Sequence, residues 1–243
     1  MEKSMLERFI SKYNLGGSCE SITLAVVDGK MSVRANSDDS NVICEVSSPT
    51  MGLEDGTYYI YGTAQLKALL GVLSNTLTVD VKKVGDVPKG IILSDDNTEV
   101  TFALADSSVI PPGPPAQKKT PNYTMTIKLD TQFTTNFSRA KSAIKDSADD
   151  FVVSSKGKDE TADVVLGQSS KNVNRVKLKA VTTEAVELSP VRFSAKYLRE
   201  ILAANKDAQN GELQICPAGI ARTSFEVDGI TSVYYLFKVD ETD

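Results

Sequence analysis

The chain has 243 residues, a net charge of −5 and 41% hydrophobic residues, which is enough to bury one large core or two cores of ordinary domain size. No run approaches the roughly 18 apolar residues of a membrane helix, and the charged N-terminus has no signal-peptide core. We therefore expect a soluble, cytoplasmic protein without a membrane partner. The widely spaced Cys19, Cys44 and Cys216 predict reduced, structural thiols rather than a disulfide framework.

The chain contains no histidine, which excludes most familiar catalytic centres and every histidine-containing metal site. Acidic residues occur in turn-like strings at 37–41, 94–97 and 158–160, where solvated loops are the ordinary explanation. There is no glycine-rich phosphate loop. We expect no catalytic residue, metal or cofactor; an enzyme that uses carboxylates alone stays open as an alternative.

Four segments share one amphipathic helical pattern. Apolar residues recur at i, i+3, i+4 and i+7 from positions 6, 66, 133 and 198, with polar residues in two of the slots. The pattern predicts short helices over 1–14, 63–75, 132–145 and 194–206. Thr63, Thr131 and Ser194 precede the apolar positions of the last three helices, and their hydroxyl groups are predicted N-caps.

Runs typical of strands follow each predicted helix. Two of them turn at the Asp-Gly pairs 28–29 and 228–229, which suit the positive φ angles of a tight hairpin. The helical registers start 60, 67 and 65 residues apart, so we predict a fourfold repeat of one helix and about three antiparallel strands. The predicted fold class is α+β, with two similar domains of two repeats each.

A proline-rich segment lies near the middle of the chain. Residues 107–123 hold five of the nine prolines, and clustered prolines make a stiff, extended connection. We predict an N-terminal domain over 1–106, a connector over 107–123 and a C-terminal domain over 124–243.

Positive charge is concentrated on the predicted helices. Their windows hold ten Lys and Arg residues but three Asp and Glu residues, whereas the whole chain carries −5. A helical projection places these cations opposite the apolar faces or on their flanks. Helix propensity and solubility also favour lysine on surface helices, but they do not explain why two windows contain no acid. The pattern favours a surface that faces a polyanion.

The run FSAKYLREILAANKDAQNGELQICPAG and the following SFEVDGITSVYYLFKVDETD resemble the closing helix, strands and acidic tail of DNA sliding clamps. The N-terminal amphipathic helix, the segment TAQLKALLGVLSN and the proline-rich connector look more like the processivity clamp of T-even-like bacteriophages than like cellular clamps. The resemblance implies the DNA-clamp fold, closed head to tail into a homotrimeric ring. It also implies the partners, which are duplex DNA bound without sequence specificity, the replicative DNA polymerase and a clamp loader ATPase, and no catalytic activity.

In clamps of this kind the helices line the hole of the ring. The resemblance therefore implies that the helical cations face DNA; these are Lys3, Arg8, Lys12, Lys67, Arg139, Lys141, Lys145, Lys196, Arg199 and Lys206.

The last strand of the first domain pairs in clamps with a strand in the middle of a neighbour's second domain. The matching subunit-interface residues here are Val100, Phe102 and Leu104, facing Val176, Leu178 and Ala180, with Glu99 and Asp106 able to meet Lys177 and Lys179. Alternation alone fits two ordinary strands within a sheet equally well.

Partner peptides dock in clamps beside the connector. The matching pocket residues are Val109, Ile110, Ile220, Tyr235 and Phe237. A plain linker is the alternative, but it would not require the apolar pair at 109 and 110.

Two further protein classes fit part of the pattern. A monomeric polymerase accessory factor of clamp fold would share all of it except self-complementary edges. A β-rich viral structural protein would share the strands, but it would have no reason to repeat a basic helix four times.

Overall fold

The chain divides into two compact units in a computed structural model that describes residues 1–144, 149–167, 174–208 and 210–239. Unit 1 contains Met1–Asp38, Ile43–Pro115 and Glu226–Ser232. Unit 2 contains Asp39–Val42, Ala116–Phe225 and Val233–Asp243. The step from Pro115 to Ala116 lies within the predicted connector.

Unit 1 holds two helices and seven strands. The first residue of the third strand, Val42, belongs to unit 2. The helices are α1 (Lys3–Asn14) and α2 (Thr63–Leu70). One antiparallel layer has the order β4-β1-β2-β3 and a second the order β5-β6-β7. Their bounds are β1 Ile22–Val27, β2 Lys30–Asn36, β3 Val42–Pro49, β4 Gly56–Ile60, β5 Thr78–Val84, β6 Val87–Ser94 and β7 Glu99–Ala103.

The described residues of unit 2 form α3 (Thr131–Ile144), α4 (Ala195–Ala204) and eight strands. Residues 226–232, at the tip of the last hairpin, belong to unit 1. One antiparallel layer has the order β11-β10-β9-β12 and the other the order β15-β14-β13-β8. The strand bounds are β8 Met125–Lys128, β9 Asp150–Lys156, β10 Thr161–Leu166, β11 Val176–Val181, β12 Glu187–Ser194, β13 Glu212–Cys216, β14 Ile220–Val227 and β15 Ile230–Phe237.

The order of elements repeats four times along the chain. Each helix is followed by three antiparallel strands, and β4, β8 and β12 lead into the second, third and fourth helices. The predicted hairpins are present: φ is 50° at Asp28 and 72° at Gly29, and 51° at Asp228 and 76° at Gly229. The α+β class and the fourfold repeat predicted from the sequence are confirmed.

The second helix is shorter than predicted. It ends at Leu70 rather than near residue 75, and Gly71, a poor helix former, occupies its C-cap. Beyond it the amides of Val72 and Leu73 donate to carbonyls three residues back, which continues the turn in a tighter form. Leu73 is still buried, so the apolar spacing remained informative past the end of the helix.

Two of the three predicted helix caps are wrong. The hydroxyl of Thr63 donates to the carbonyl of Glu20, and the Glu20 carboxylate instead accepts from the Ala64 amide at 2.8 Å. In α3 the side chain of Asp130 accepts from the Phe133 amide at 2.7 Å, so the cap lies one residue before Thr131. Ser194 caps α4 as predicted, by accepting from the Tyr197 amide at 3.4 Å.

Each unit has its own apolar core. In unit 1 the rings of Phe9 and Tyr13 meet edge to face at 5.7 Å, and an apolar void of about 30 Å³ lies beside them. In unit 2 four aromatic rings make a continuous chain with centroid separations of 5.9, 5.3 and 5.8 Å; these are Phe133, Phe137, Phe151 and Phe193. The cores fix the inward faces of the helices.

Three further features concern the predicted chemistry. All three cysteines are buried and none forms a disulfide. Within the described ranges no group of His, Cys, Asp or Glu residues could hold a metal ion. None of the described helices is long and apolar enough to span a membrane.

Candidate nucleic-acid interface

The four helices position the cations that the sequence singled out. Their buried residues lie on one side of each helix, for example Phe9 and Tyr13 on α1 and Leu198 and Ile201 on α4. Most lysines and arginines of the helices lie outside these buried sides. The exposure and partners of each cation decide whether it can meet an external anion.

In unit 1 most helical cations already have partners. The Lys3 ammonium donates to the Leu73 carbonyl at 2.7 Å and lies 3.7 Å from the Glu7 carboxylate. Arg8 makes a 2.6 Å ion pair with Asp228, at the tip of the β14–β15 hairpin. Lys67 on α2 is exposed and has no ion pair in the described part of the chain. The helices of unit 1 therefore offer little unpaired positive charge.

Lys12 does not face solvent, although the helical projection placed it opposite the apolar side. Its side chain is fully buried, and the neighbouring Tyr13, Asn14 and Leu15 are buried as well. The last turn of α1 is enclosed on every side, so the angle around the helix axis does not determine exposure there. A buried ammonium group requires charged or polar neighbours, and Lys12 makes such an interaction. The predicted outward orientation of this residue is wrong.

In unit 2 three predicted cations are exposed. Arg139, Lys196 and Lys206 have exposed side chains and no ion pair within the described ranges. The Lys196 ammonium lies 5.2 Å from the centroid of the Tyr197 ring. Arg199 is half-exposed and lies 3.2 Å from the neighbouring Glu200. These side chains leave positive charge available on α3, on α4 and two residues beyond the end of α4.

Lys141 and Lys145 on α3 differ from that group. Lys141 is buried, and its ammonium reaches the exposed Asp149 carboxylate at 3.6 Å, so its methylene stem covers apolar surface while its charge points outward. The helical projection placed Lys141 on the flank of α3, and that flank is covered at this position. Lys145 lies outside the described residues.

The helices offer charge without stacking surfaces. Their aromatic residues, which are Phe9, Tyr13, Phe133, Phe137 and Tyr197, are all buried. Proteins that bind single strands use exposed aromatic rings as stacking platforms, whereas lysine and arginine can neutralise phosphates of any sequence. The arrangement is suited to attraction of a nucleic-acid backbone without reading bases.

The two predicted interface strands each end a layer of their own unit. β7 pairs with β6, and β11 pairs with β10, so each strand has one side that no described strand of its layer covers. The predicted interface residues point inward to differing degrees: Phe102 and Ala180 are buried, whereas Val100, Leu104, Val176 and Leu178 are half-buried. A strand at such an edge presents free backbone groups to a further strand.

The charged residues predicted to flank this pairing have unequal partners. Lys177 makes a 2.6 Å ion pair with Asp163 on the neighbouring strand. The Asp106 carboxylate accepts from the amide and hydroxyl of Ser108, which holds its pKa below the usual range. Glu99 and Lys179 have no ion pair in the described part of the chain. Of the four charged residues predicted to flank the pairing, Glu99 and Lys179 are therefore the two whose charge is not already used by a described neighbour.

The predicted peptide-pocket residues are divided between the two units. In unit 1, Ile110 is buried and Val109 is 56% exposed. In unit 2, Ile220, Tyr235 and Phe237 are half-buried. The pocket itself stays a prediction.

Tyr123, also in unit 2, is half-buried. Burial, with a smaller contribution from Tyr235, raises the pKa of the Tyr123 hydroxyl. Tyr123 and Tyr235, both half-buried, therefore lie close enough to interact electrostatically.

The sequence did not predict side-chain contacts between residues that lie far apart along the chain. Asp228 pairs with Arg8 across 220 positions, and Glu20 caps α2 from 44 positions away. Neither residue carries a local pattern that identifies its partner. The DG hairpin at 228–229 predicted the turn but gave no signal of the ion pair.

Comparisons with known proteins give fold similarity over the whole chain. No protein-family model and no curated protein sequence matches it. The structure of Proliferating Cellular Nuclear Antigen (PCNA) from Entamoeba histolytica matches with a TM-score of 0.76 and 16% identity, covering 98% of this chain and 96% of that one. A structure of the C-terminal region of FEN-1 bound to A. fulgidus PCNA matches with a TM-score of 0.75 and 15% identity, covering 100% and 98%. The chain has the DNA-clamp fold, as predicted.

Proposed function

We propose that this protein is a DNA sliding clamp of the T-even-like type, which encircles duplex DNA as a homotrimeric ring and tethers the replicative polymerase. The observation that carries the proposal is the clamp fold over the full length of the chain, with a TM-score of 0.76 to a PCNA. The free cations on α3 and α4 support it, because they supply the positive surface that a duplex requires. The role needs no catalytic group.

The proposed mechanism is topological. A closed ring cannot leave circular DNA without opening, whatever the affinity of its inner surface. Cations that attract phosphates without base contacts centre the duplex and leave it free to move along its axis. The clamp loader ATPase opens the ring, and the polymerase then stays on the template because it is held by a ring that cannot dissociate sideways.

Ring closure is assigned to pairing of β7 on one protomer with β11 on the next. Each strand ends its layer, and each contributes half-buried apolar residues that a neighbouring strand would cover. Glu99 and Lys179 are free in the described chain and have opposite charges. The domain plan expected from the sequence, 1–106 and 124–243 joined by 107–123, would give one such edge to each domain.

Polymerase attachment is assigned in unit 2 to the half-buried residues Ile220, Tyr235 and Phe237. Tyr235→Ala should weaken a peptide taken from the polymerase C-terminus several-fold. Ile110 is buried, so a matching test in unit 1 should use the exposed Val109 to avoid damage to the fold. Unchanged peptide affinity in both variants would contradict this assignment.

The first test is solution mass by sedimentation over a micromolar range, followed by loader-dependent retention on circular and linearised DNA. A mass of three protomers with retention only on circular DNA is the expected result. A stable monomer that binds both DNA forms alike would instead indicate a monomeric accessory factor held by charge. If the protein does not associate with DNA at all, solubility alone explains the helical cations, and a structural protein is favoured.

A charge exchange tests the interface separately. Glu99→Lys and Lys179→Glu should each weaken the trimer, and the double variant should regain mass near that of the unmodified protein. Asp86→Lys, in the exposed β5–β6 turn, is a control of equal charge change. Trimers that persist unchanged in both single variants would exclude this pairing.

A further inference from the structure

An asparagine–glycine pair, Asn210 and Gly211, lies between α4 and β13 in unit 2. Asn210 is the only asparagine of the sequence that glycine follows. Asparagine is a labile residue, because the backbone nitrogen of the next residue can attack its side-chain amide. A side chain on that next residue hinders the attack, and glycine has none. This reaction is therefore least hindered at Asn210.

Packing in unit 2 requires glycine at position 211. A Cβ atom there would lie 2.5 Å from the ring of Phe225, which is itself buried. The Gly211 carbonyl accepts from the Leu129 amide at 2.8 Å, and β13 begins at the next residue, Glu212. A larger residue would have to displace the Phe225 ring from the core. The fold therefore keeps an unhindered backbone nitrogen next to Asn210.

Both reacting groups are free of other partners in the described part of the chain. Asn210 is exposed, and its side chain makes no hydrogen bond there; the Gly211 amide donates none. Asn97 in unit 1 provides the contrast. It is exposed as well, but the amide of the following Thr98 donates to the Asp95 carboxylate at 2.7 Å. An amide held in this way, on a β-branched residue, is poorly placed to attack its neighbour.

We propose that Asn210 is a site of spontaneous deamidation, in which the Gly211 nitrogen displaces ammonia from the side chain. The nitrogen gives its proton to a base in solution and forms a bond with Cγ of Asn210. The bond between Cγ and the side-chain nitrogen breaks, and that nitrogen takes up a proton from solvent and leaves as ammonia. Water then opens the succinimide ring at either carbonyl carbon, which yields aspartate or isoaspartate. The net reaction exchanges ammonia for water and uses no oxidant or enzyme.

Each product changes this part of unit 2. Both products add one negative charge to the loop that also holds Lys206, an exposed cation without an ion pair in the described chain. Opposite charges in one loop attract each other, so the modification reduces the free positive charge beyond α4. Isoaspartate also lengthens the main chain by one carbon atom just before Gly211, whose position is fixed by packing. The inference goes beyond the proposed function, since it requires neither DNA nor a ring.

The experiment follows the folded full chain during incubation in mildly alkaline buffer, by mass spectrometry of its proteolytic fragments. Deamidation raises the mass of a fragment by about 1 Da, and further fragmentation separates aspartate from isoaspartate. The reference is the free peptide Ac-Ala-Gln-Asn-Gly-Glu-NH₂, which has the sequence of residues 208–212. Because the fold restrains neither reacting group, Asn210 should convert within about tenfold of the rate in the peptide. A slower conversion would show that the fold protects Asn210 and would overturn the proposal.

Two variants separate the structural argument from the sequence pair. Thr98→Gly makes a second asparagine–glycine pair at the exposed Asn97 but keeps the amide that donates to Asp95. Asn97 of this variant should react about tenfold more slowly than Asn210 in the same molecule. Comparable rates would show that glycine alone decides, which would overturn the role of the free Gly211 amide. Asn210→Gln is the matched control and should abolish the mass change in residues 208–212; a change that persists there would overturn the assignment to Asn210.

Discussion

The helices of unit 1 and unit 2 carry similar sequence signals but present different surfaces. In unit 1, Lys3 and Arg8 are engaged by Leu73 and Asp228, and Lys12 is buried. In unit 2, Arg139, Lys196 and Lys206 remain exposed and without ion pairs in the described chain. A count of charges along a helix therefore overstates the cations that an external anion can reach, because partners arrive from distant parts of the sequence.

The cores of the two units differ as well, and this difference predicts the largest effect on stability. Phe151 in unit 2 contacts the rings of both Phe137 and Phe193, whereas Phe9 in unit 1 meets Tyr13 and lines the void of about 30 Å³. Replacing a buried phenylalanine by alanine costs about 3–5 kcal/mol. We expect Phe151→Ala at the upper end of that range and Phe9→Ala at the lower end.

The measurement is urea unfolding followed by circular dichroism, since the chain has no tryptophan for fluorescence. Hydrogen exchange of each variant assigns the loss to its own unit. A larger loss for Phe9→Ala would show that the aromatic chain of unit 2 adds nothing beyond ordinary burial.

The helices of the two units differ in unpaired positive charge, and this difference predicts the next largest effect, which is on duplex binding. Arg139→Gln with Lys196→Gln should weaken binding to a short duplex at least tenfold, because both cations are free to meet phosphates. Lys3→Gln with Arg8→Gln removes the same charge from unit 1 and should weaken binding only about twofold. Fluorescence anisotropy over a salt series measures both, and each lost phosphate contact should reduce the slope of log K against log salt by about 0.9.

Equal losses in the two double variants would contradict the contrast between the units. That result would mean that the ion pairs of Lys3 and Arg8 open when DNA binds. Unchanged affinity in both would remove the helices from the DNA interface altogether.

The fold was predictable because its signals are local. Apolar residues at helical spacing and the two Asp-Gly turns each depend on neighbours within a few positions, and the repeat interval then orders the elements. The site was less predictable because exposure depends on tertiary neighbours. Lys12 has the angular position of a surface residue, yet the enclosed last turn of α1 buries it.

The caps show the same division between local and distant signals. Ser194 lies next to the helix that it caps and was found from sequence, whereas Glu20 reaches α2 from 44 positions away. Threonine is a common N-cap residue, but the hydroxyl of Thr63 donates to the Glu20 carbonyl instead. Residue type predicts a cap only when no stronger acceptor competes for the same amides.

The caps also predict a stability difference between α2 and α4. Ser194→Ala removes one long hydrogen bond of 3.4 Å and should cost about 0.5–1 kcal/mol. Glu20→Ala removes bonds of 2.8 Å to Ala64 and 2.9 Å to Asn14, so it should cost about 1–2 kcal/mol. Urea midpoints measure both, and a smaller loss for Glu20→Ala would show that the distant cap is not needed to hold α2.

The smallest predicted effect is a pH dependence that originates in unit 1. The Asp95 carboxylate accepts from the amides of Ser74, Asn97 and Thr98 at 2.6–2.9 Å, and these bonds hold its pKa well below the ordinary 3.8. Because the pKa is lower in the folded chain, this carboxylate stabilises the fold at pH above about 4. The stabilisation is lost progressively as the pH falls from 3.8 towards the folded pKa.

Asp95→Asn tests this linkage. The amide keeps one acceptor oxygen but opposes the Ser74 amide with a donor, so the variant should be less stable than the unmodified protein at pH 7. Its disadvantage should shrink as the pH falls below 4, since protonation weakens the unmodified protein alone. Asp106→Asn should behave in the same way to a smaller degree, because within the described residues the Asp106 carboxylate accepts from Ser108 alone. Thermal unfolding from pH 7 to pH 2.5 measures the difference, and a constant gap across that range would show that Asp95 acts through turn geometry rather than through its charge.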